Sequence, residues 1–150
     1  MIRCTRFLIP VLCLLIWSAP ASAQTVIEIR QQGMRVLQSA VNRLLELETA
    51  PPAAYRPNDV AEQFYIVREV LPSLNQLFPN SRSARGGRAS PVIWQLRRPF
   101  DRLFVEAQRR AAEGFTAARR MGGARPAVQS ALKGLTQTCA TCHNQFIRNW

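Results

Sequence analysis

A chain of 150 residues sets a single folded domain as the expectation. Apolar residues make up 47% of it, enough for a packed core and too many for a disordered tail. Twenty basic residues, nineteen of them arginine, stand against nine acidic ones for a net charge of +11; the four cysteines and single histidine exclude a histidine-rich metal site, a disulfide-dense scaffold and a large multidomain enzyme.

The first predicted element is a leader. Arg3 and Arg6 precede an apolar run from Phe7 to Trp17, and Ala21-Ser22-Ala23 forms a small-x-small cleavage site. The run rises about 16 Å as a helix, roughly half a bilayer core, so a membrane anchor is not expected. The sequence therefore predicts a cleaved signal peptide over 1–23 and one exported domain over 24–150, with the periplasm as its compartment. Cys4 and Cys13 leave with the leader. Cys139 and Cys142 remain.

Four helical stretches follow, each bounded by Pro, Gly or Asn/Ser clusters. The first runs from about Val26 to Glu48, with Ile27, Met34, Leu37, Val41, Leu44 and Leu45 on one stripe, and stops at Pro51-Pro52. The second starts at an Asn58-Asp59 cap and reaches Phe78, with Pro72 expected to kink it or loosen its last turns. Residues 79 to 89 read as a loop. The third takes Ser90 as cap and Pro91 as first residue and runs unbroken to about Met121, ended by Gly122-Gly123. The fourth starts at Pro126 and runs nearly to the C-terminus. No strand is predicted. Short connections between four amphipathic helices give an all-α fold, an antiparallel up-down-up-down four-helix bundle.

The fourth helix carries Cys139-Ala140-Thr141-Cys142-His143. This is the spacing of a haem c attachment motif. Two thiols must reach the two vinyl groups of a porphyrin edge, and an imidazole must reach the iron. Helix positions i, i+3 and i+4 share a side, and these three residues occupy them. One covalent haem c is the expected cofactor, with Cys139 and Cys142 as attachment points and His143 as iron ligand. Three other readings compete. A thioredoxin-like redox pair needs a strand-to-helix turn, and none is visible. A zinc site needs more ligands than the mature chain offers. A plain disulfide leaves the adjacent, unique histidine unexplained.

Met34 and Met121 are the only methionines after the leader. The fourth helix rises about 25 Å from Pro126 to His143, which sends Met121 to the far end of the bundle. Met34, two turns into the first helix, neighbours the end of the fourth helix and faces His143 across the bundle. It is a candidate second iron ligand. A methionine on an apolar stripe also serves as plain packing, and both readings stand.

These residues together resemble the class II cytochromes c, the group of cytochrome c′ and its low-spin relatives, across the whole mature chain. Arg30-Gln31-Gln32-Gly33-Met34 is similar to that family's Arg-Gln-x-x-Met/Leu/Phe segment. Ile93-Trp94 with Phe100 resembles its Ile-Trp…Phe pattern, and Phe146 follows CATCH as its aromatic does. The resemblance implies thioethers at Cys139 and Cys142, a proximal His143, a distal Met34, and Arg30 and Gln31 near the haem propionates. Arg30 as an ordinary solvated charge is the competing reading. Trp94 and Phe100 read as packing residues. The chain departs from the family at the fourth residue after the histidine, often basic there and Ile147 here, so the charge around the proximal pocket differs and no proximal gas-binding role transfers.

The leading functional expectation is a periplasmic electron carrier with His/Met-ligated iron. The alternative is a five-coordinate protein that binds NO or CO. An enzyme is not expected, because His143 is the only imidazole and no acid–base pair accompanies it. Eleven arginines between Arg82 and Arg125 suggest a docking face for an acidic redox partner, or a solvated surface. Export argues against nucleic acid, no stable membrane insertion is expected, and the family resemblance implies a homodimer through the first two helices.

Overall fold

The computed structural model describes residues 25–120 and 125–148. The predicted leader and Met121 lie outside these residues. Five helices follow in order: α1 Val26–Thr49, α2 Pro57–Gln76, α3 Val92–Gln95, α4 Arg97–Arg119 and α5 Arg125–Phe146. The four long ones, α1, α2, α4 and α5, form an all-α bundle. Among the described residues no helix is long and apolar enough to cross a membrane.

Helix α1 starts where local chemistry dictates. Thr25 accepts from the Glu28 amide at 3.2 Å, and the Glu28 carboxylate accepts from the Thr25 amide at 2.7 Å. This reciprocal cap satisfies two donors that the first turn leaves open. Helix α2 starts one residue before the expected cap: Pro57 opens it, and Asn58 and Asp59 lie within its first turn. Proline at the first helical position needs no amide hydrogen bond, which accounts for the shift. Pro72 sits inside α2 without ending it.

The expected third helix is two. Leu96, at φ −110° and ψ 46°, separates the single turn α3 from α4. Pro99 is the cause. Its ring clashes with the carbonyl four residues earlier, on Gln95, and it has no amide to donate. A new helix starting at Arg97 places Pro99 in a first turn, where that amide is dispensable. Helix α3 starts at Val92, one residue later than expected, with Pro91 in the cap position, while the Ser90 hydroxyl still accepts from the Val92 amide at 3.3 Å.

Three crossings use glycine. A Cβ on Gly33 of α1 would meet Leu74 Cδ1 of α2 at 2.8 Å, and one on Gly134 of α5 would meet Arg110 Cδ of α4 at 2.8 Å. One on Gly114 of α4 would overlap the ring of Phe64 on α2. The fourth seam differs: α2 packs closely on α1 and α4, and α4 on α5, whereas α1 barely touches α5. The bundle is open along that seam.

Its two ends are tied differently. At one end Arg125, the first residue of α5, donates to the carbonyls of Glu48 and Ala50 at 2.5 and 2.8 Å. At the other, the loop between α2 and α3 straps α1 to α5. The Arg30 guanidinium donates to the carbonyls of Ala84 at 3.1 Å and Gly86 at 2.9 Å, and more weakly to Leu77 at 3.5 Å. Further along, Ala89 forms an antiparallel bridge with Ile147. The Ser90 amide donates to the Phe146 carbonyl, and the Arg148 amide to the Arg88 carbonyl, both at 2.9 Å. Gly87, at φ +61°, makes the turn between the two attachments, a conformation that glycine adopts freely.

Candidate functional site

A cavity of about 730 Å³ opens along the α1/α5 seam at the strapped end, within the range of cofactor pockets. Its floor is aromatic. Phe78, Phe100, Phe104 and Phe146 are all buried. Phe100 lies 4.8 Å from Phe78, 5.1 Å from Phe104 and 5.2 Å from Phe146 between ring centroids. Edge and tilted contacts of this kind hold four rings in one rigid wall.

One side of the cavity is α5. Cys139, Cys142 and His143 all line it. Both thiols are free and half-buried. Burial pushes the Cys139 thiol up, and burial followed by the neighbouring Cys139 pushes Cys142 up to about 11. Disulfide oxidoreductases rely on the opposite, a stabilised thiolate. Desolvation first, and then the charge of Arg88, hold His143 below the usual imidazole value. The ring is thereby kept neutral, the form that binds metal. Among the described residues no cluster of three or more His, Cys, Asp or Glu side chains is placed to hold a metal ion.

The facing side is α1, whose Met34, Leu37 and Val41 line the cavity. Met34 is half-buried and packs on the core. The α1 and α5 sequences therefore bring Met34 and the Cys–Cys–His group into one crevice, as their positions in the chain suggest. Arg30 and Gln31 line it too, with different surroundings. Gln31 is exposed and packs beside Gly87. Arg30 is buried, donates to the strap carbonyls and lies 4.6 Å from the Phe78 ring centroid, so it is not a solvated charge. Two of its five N–H groups remain for an anionic ligand after these three bonds.

Of the two residues read as packing, Phe100 forms the floor. Trp94 lies outside the lining: its indole donates to the Pro79 carbonyl at 2.9 Å and Arg85 stacks over it at 5.5 Å. Sequence reasoning missed Arg88, Phe78 and Phe104 in the lining. Phe104 was visible on the α4 stripe, and Arg88 had only the preceding Gly86-Gly87 turn as a signal.

The arrangement fits a haem c. The lining supplies two thiols one turn apart, a neutral imidazole beside them and an apolar floor. Arg30 and Arg35 also line it, with no carboxylate among the lining residues, as two propionates require.

Comparison with known proteins agrees. A family model described as Cytochrome C′ matches residues 25–147. None of the curated proteins matches this chain. Among solved structures, cytochrome c′ from Thermochromatium tepidum is similar with a TM-score of 0.70 and 21% identity, over 83% of this chain and 95% of that one. Cytochrome c prime from Shewanella frigidimarina gives 0.73 and 19%, over 83% and 94%. A nitric oxide complex of a variant of cytochrome c prime from Alcaligenes xylosoxidans gives 0.73 and 18%, over the same shares. With nearly the whole described chain under one family model and this crevice at its seam, the protein belongs to the cytochrome c′ family, whose members carry covalently attached haem c.

Proposed function

We propose that this is a periplasmic haem c protein that takes up a neutral diatomic gas, NO or CO, at iron held by His143. Cys139 and Cys142 hold the haem as thioethers, and Arg30 and Gln31 border its propionates. The haem supplies an iron centre able to bind such a ligand and to change its oxidation state by one electron. The observation that carries the reading is the wall opposite His143. Met34, Leu37 and Val41 on α1 face the crevice, backed by Leu71 and Phe104, and no second imidazole lines it. Gln31, Arg35, Gln38 and Asn42 of α1 also border the crevice, but the Met34, Leu37 and Val41 side chains offer a ligand no hydrogen bond, a condition under which NO and CO lose least. The structural likeness to a cytochrome c prime variant in complex with nitric oxide supports the same ligand class. Binding is proposed here, and no enzymatic turnover.

A second reading has one observation in its favour: Met34 lines the crevice, where its thioether would complete a His/Met electron carrier. The spectra of the haem-loaded protein separate the two. Gas binding predicts a five-coordinate high-spin ferrous spectrum that Met34→Ala leaves unchanged, and NO uptake by both proteins. A six-coordinate low-spin spectrum that is lost in Met34→Ala would replace this reading with the electron carrier.

A further inference from the structure

We infer that Arg88 is a positioning residue for the iron site: carried to α5 by the strap, its charge acts on His143 and eases reduction of the iron bound there. The inference rests on reading Cys139, Cys142 and His143 as the haem c site.

The geometry fixes Arg88 through its main chain. Its carbonyl accepts from the Arg148 amide at 2.9 Å, and the next residue is bridged to Ile147. Two and four residues earlier in the chain, at Gly86 and Ala84, the strap is fastened to α1 through Arg30, with Gly86 and Gly87 packed against Ile27. The side chain is thus delivered to the crevice from an anchored backbone and lines it together with His143.

No carboxylate side chain among the described residues neutralises it. Arg97, Arg109, Arg110 and Arg125 pair with Asp101, Glu106, Glu113 and Glu48. Arg88 is in no ion pair among the described residues, and the crevice lining contains no carboxylate. Helix α5 offers no cation of its own on this turn: Asn144, Gln145, Phe146 and Ile147 follow His143. The bridge that engages Ile147 is also what brings Arg88 alongside. A fixed positive charge near an iron ligand favours the oxidation state of lower positive charge, the ferrous one. It also withdraws electron density from the imidazole.

Spectroelectrochemistry and resonance Raman spectra of the haem-loaded protein test this with Arg88→Gln, Arg88→Lys and Arg88→Glu, and with Arg82→Gln as a strap control. The bridge uses main-chain atoms, so all four variants keep it, and their melting curves verify this. At the applied potential that half-reduces the parent protein, Arg88→Gln shifts the ferric-to-ferrous ratio several-fold toward ferric, and Arg88→Glu shifts it further. A tenfold shift is about 59 mV for a one-electron couple. Arg88→Lys restores the parent ratio and Arg82→Gln leaves it unchanged. The ferrous iron–histidine stretch rises in Arg88→Gln. An unchanged ratio in both Gln and Glu variants overturns the inference. So does a shifted ratio with an unmoved iron–histidine stretch, which would place Arg88 on a propionate. Failure of gas binding leaves both readouts intact, and failure of covalent haem attachment overturns the site reading itself.

Discussion

Arg30 shows how one side chain can define a site by holding its frame. Its guanidinium is 5% exposed and its hydrogen bonds all go to main-chain carbonyls of the strap. Burial lowers its pKa without removing the charge, because a guanidinium stays protonated in proteins. Arg30→Met keeps the aliphatic stem and its contact with Phe78 but leaves the Ala84 and Gly86 carbonyls without a donor. We expect a loss of about 2 kcal/mol, since hydrogen bonds from charged donors contribute roughly 1.5–3 kcal/mol each and the buried charge no longer costs desolvation. Arg30→Lys should recover less than half, because an ammonium cannot span two carbonyls in a fork. Equilibrium unfolding in denaturant checks this, and a loss under about 0.5 kcal/mol would mean that water replaces the guanidinium at those carbonyls.

At the scale of the helices, glycine sets how closely they approach, and two of the crossings predict opposite signs. Gly114 faces the fully buried ring of Phe64, which has no room to move. Overpacking costs about 1–3 kcal/mol, and alanine's better helix propensity returns about 1. Gly114→Ala should therefore destabilise by up to about 2 kcal/mol. Gly134 faces the far end of the Arg110 side chain, which is part-exposed and can swing away. There the propensity gain dominates, and Gly134→Ala should be neutral to slightly stabilising. Melting temperatures of the two variants moving in the same direction would count against this account. The same scale shows what the sequence carried. The four long helices were legible because a 3.6-residue stripe is a local signal, and Cys139 to His143 were legible because their spacing is local too. The break at Leu96 was in reach through Pro99, whose ring acts on a residue four back, but its place on an apolar stripe concealed it. The strap was not legible. Arg30 reaches carbonyls 47 to 56 residues away, and Arg88 meets α5 through a bridge to Ile147. No periodicity records such contacts.

Across the whole molecule the charge is uneven, and the unevenness has direction. The eleven arginines from Arg82 to Arg125 do not form one face. Arg97, Arg109, Arg110 and Arg125 are spent in ion pairs with carboxylates. Arg82, Arg85 and Arg88 lie on the strap, and Arg35 and Arg148 flank it on α1 and after α5. At the opposite end Glu46 and Glu48 near the close of α1, and Asp59 and Glu62 at the start of α2, offset much of the arginine there. The molecule therefore presents its positive end at the mouth of the crevice. An acidic protein partner would be steered to that mouth, which places its approach beside Cys142 and His143. Small redox reagents measure the same field without a partner's shape. At low salt an anionic oxidant such as ferricyanide should react with the reduced protein faster than its intrinsic driving force predicts. A cationic cobalt complex should react more slowly. Raising the ionic strength should lower the first rate and raise the second, and the two corrections should fade above about 0.1 M, where the Debye length falls to about 10 Å. Reversing the charge at Arg82 and Arg85 together should flatten both dependences, since these two residues lie on the strap and outside the crevice lining. Rates of both reagents that fall together with salt would assign the effect to bulk ionic conditions and remove the directional field on which partner steering depends.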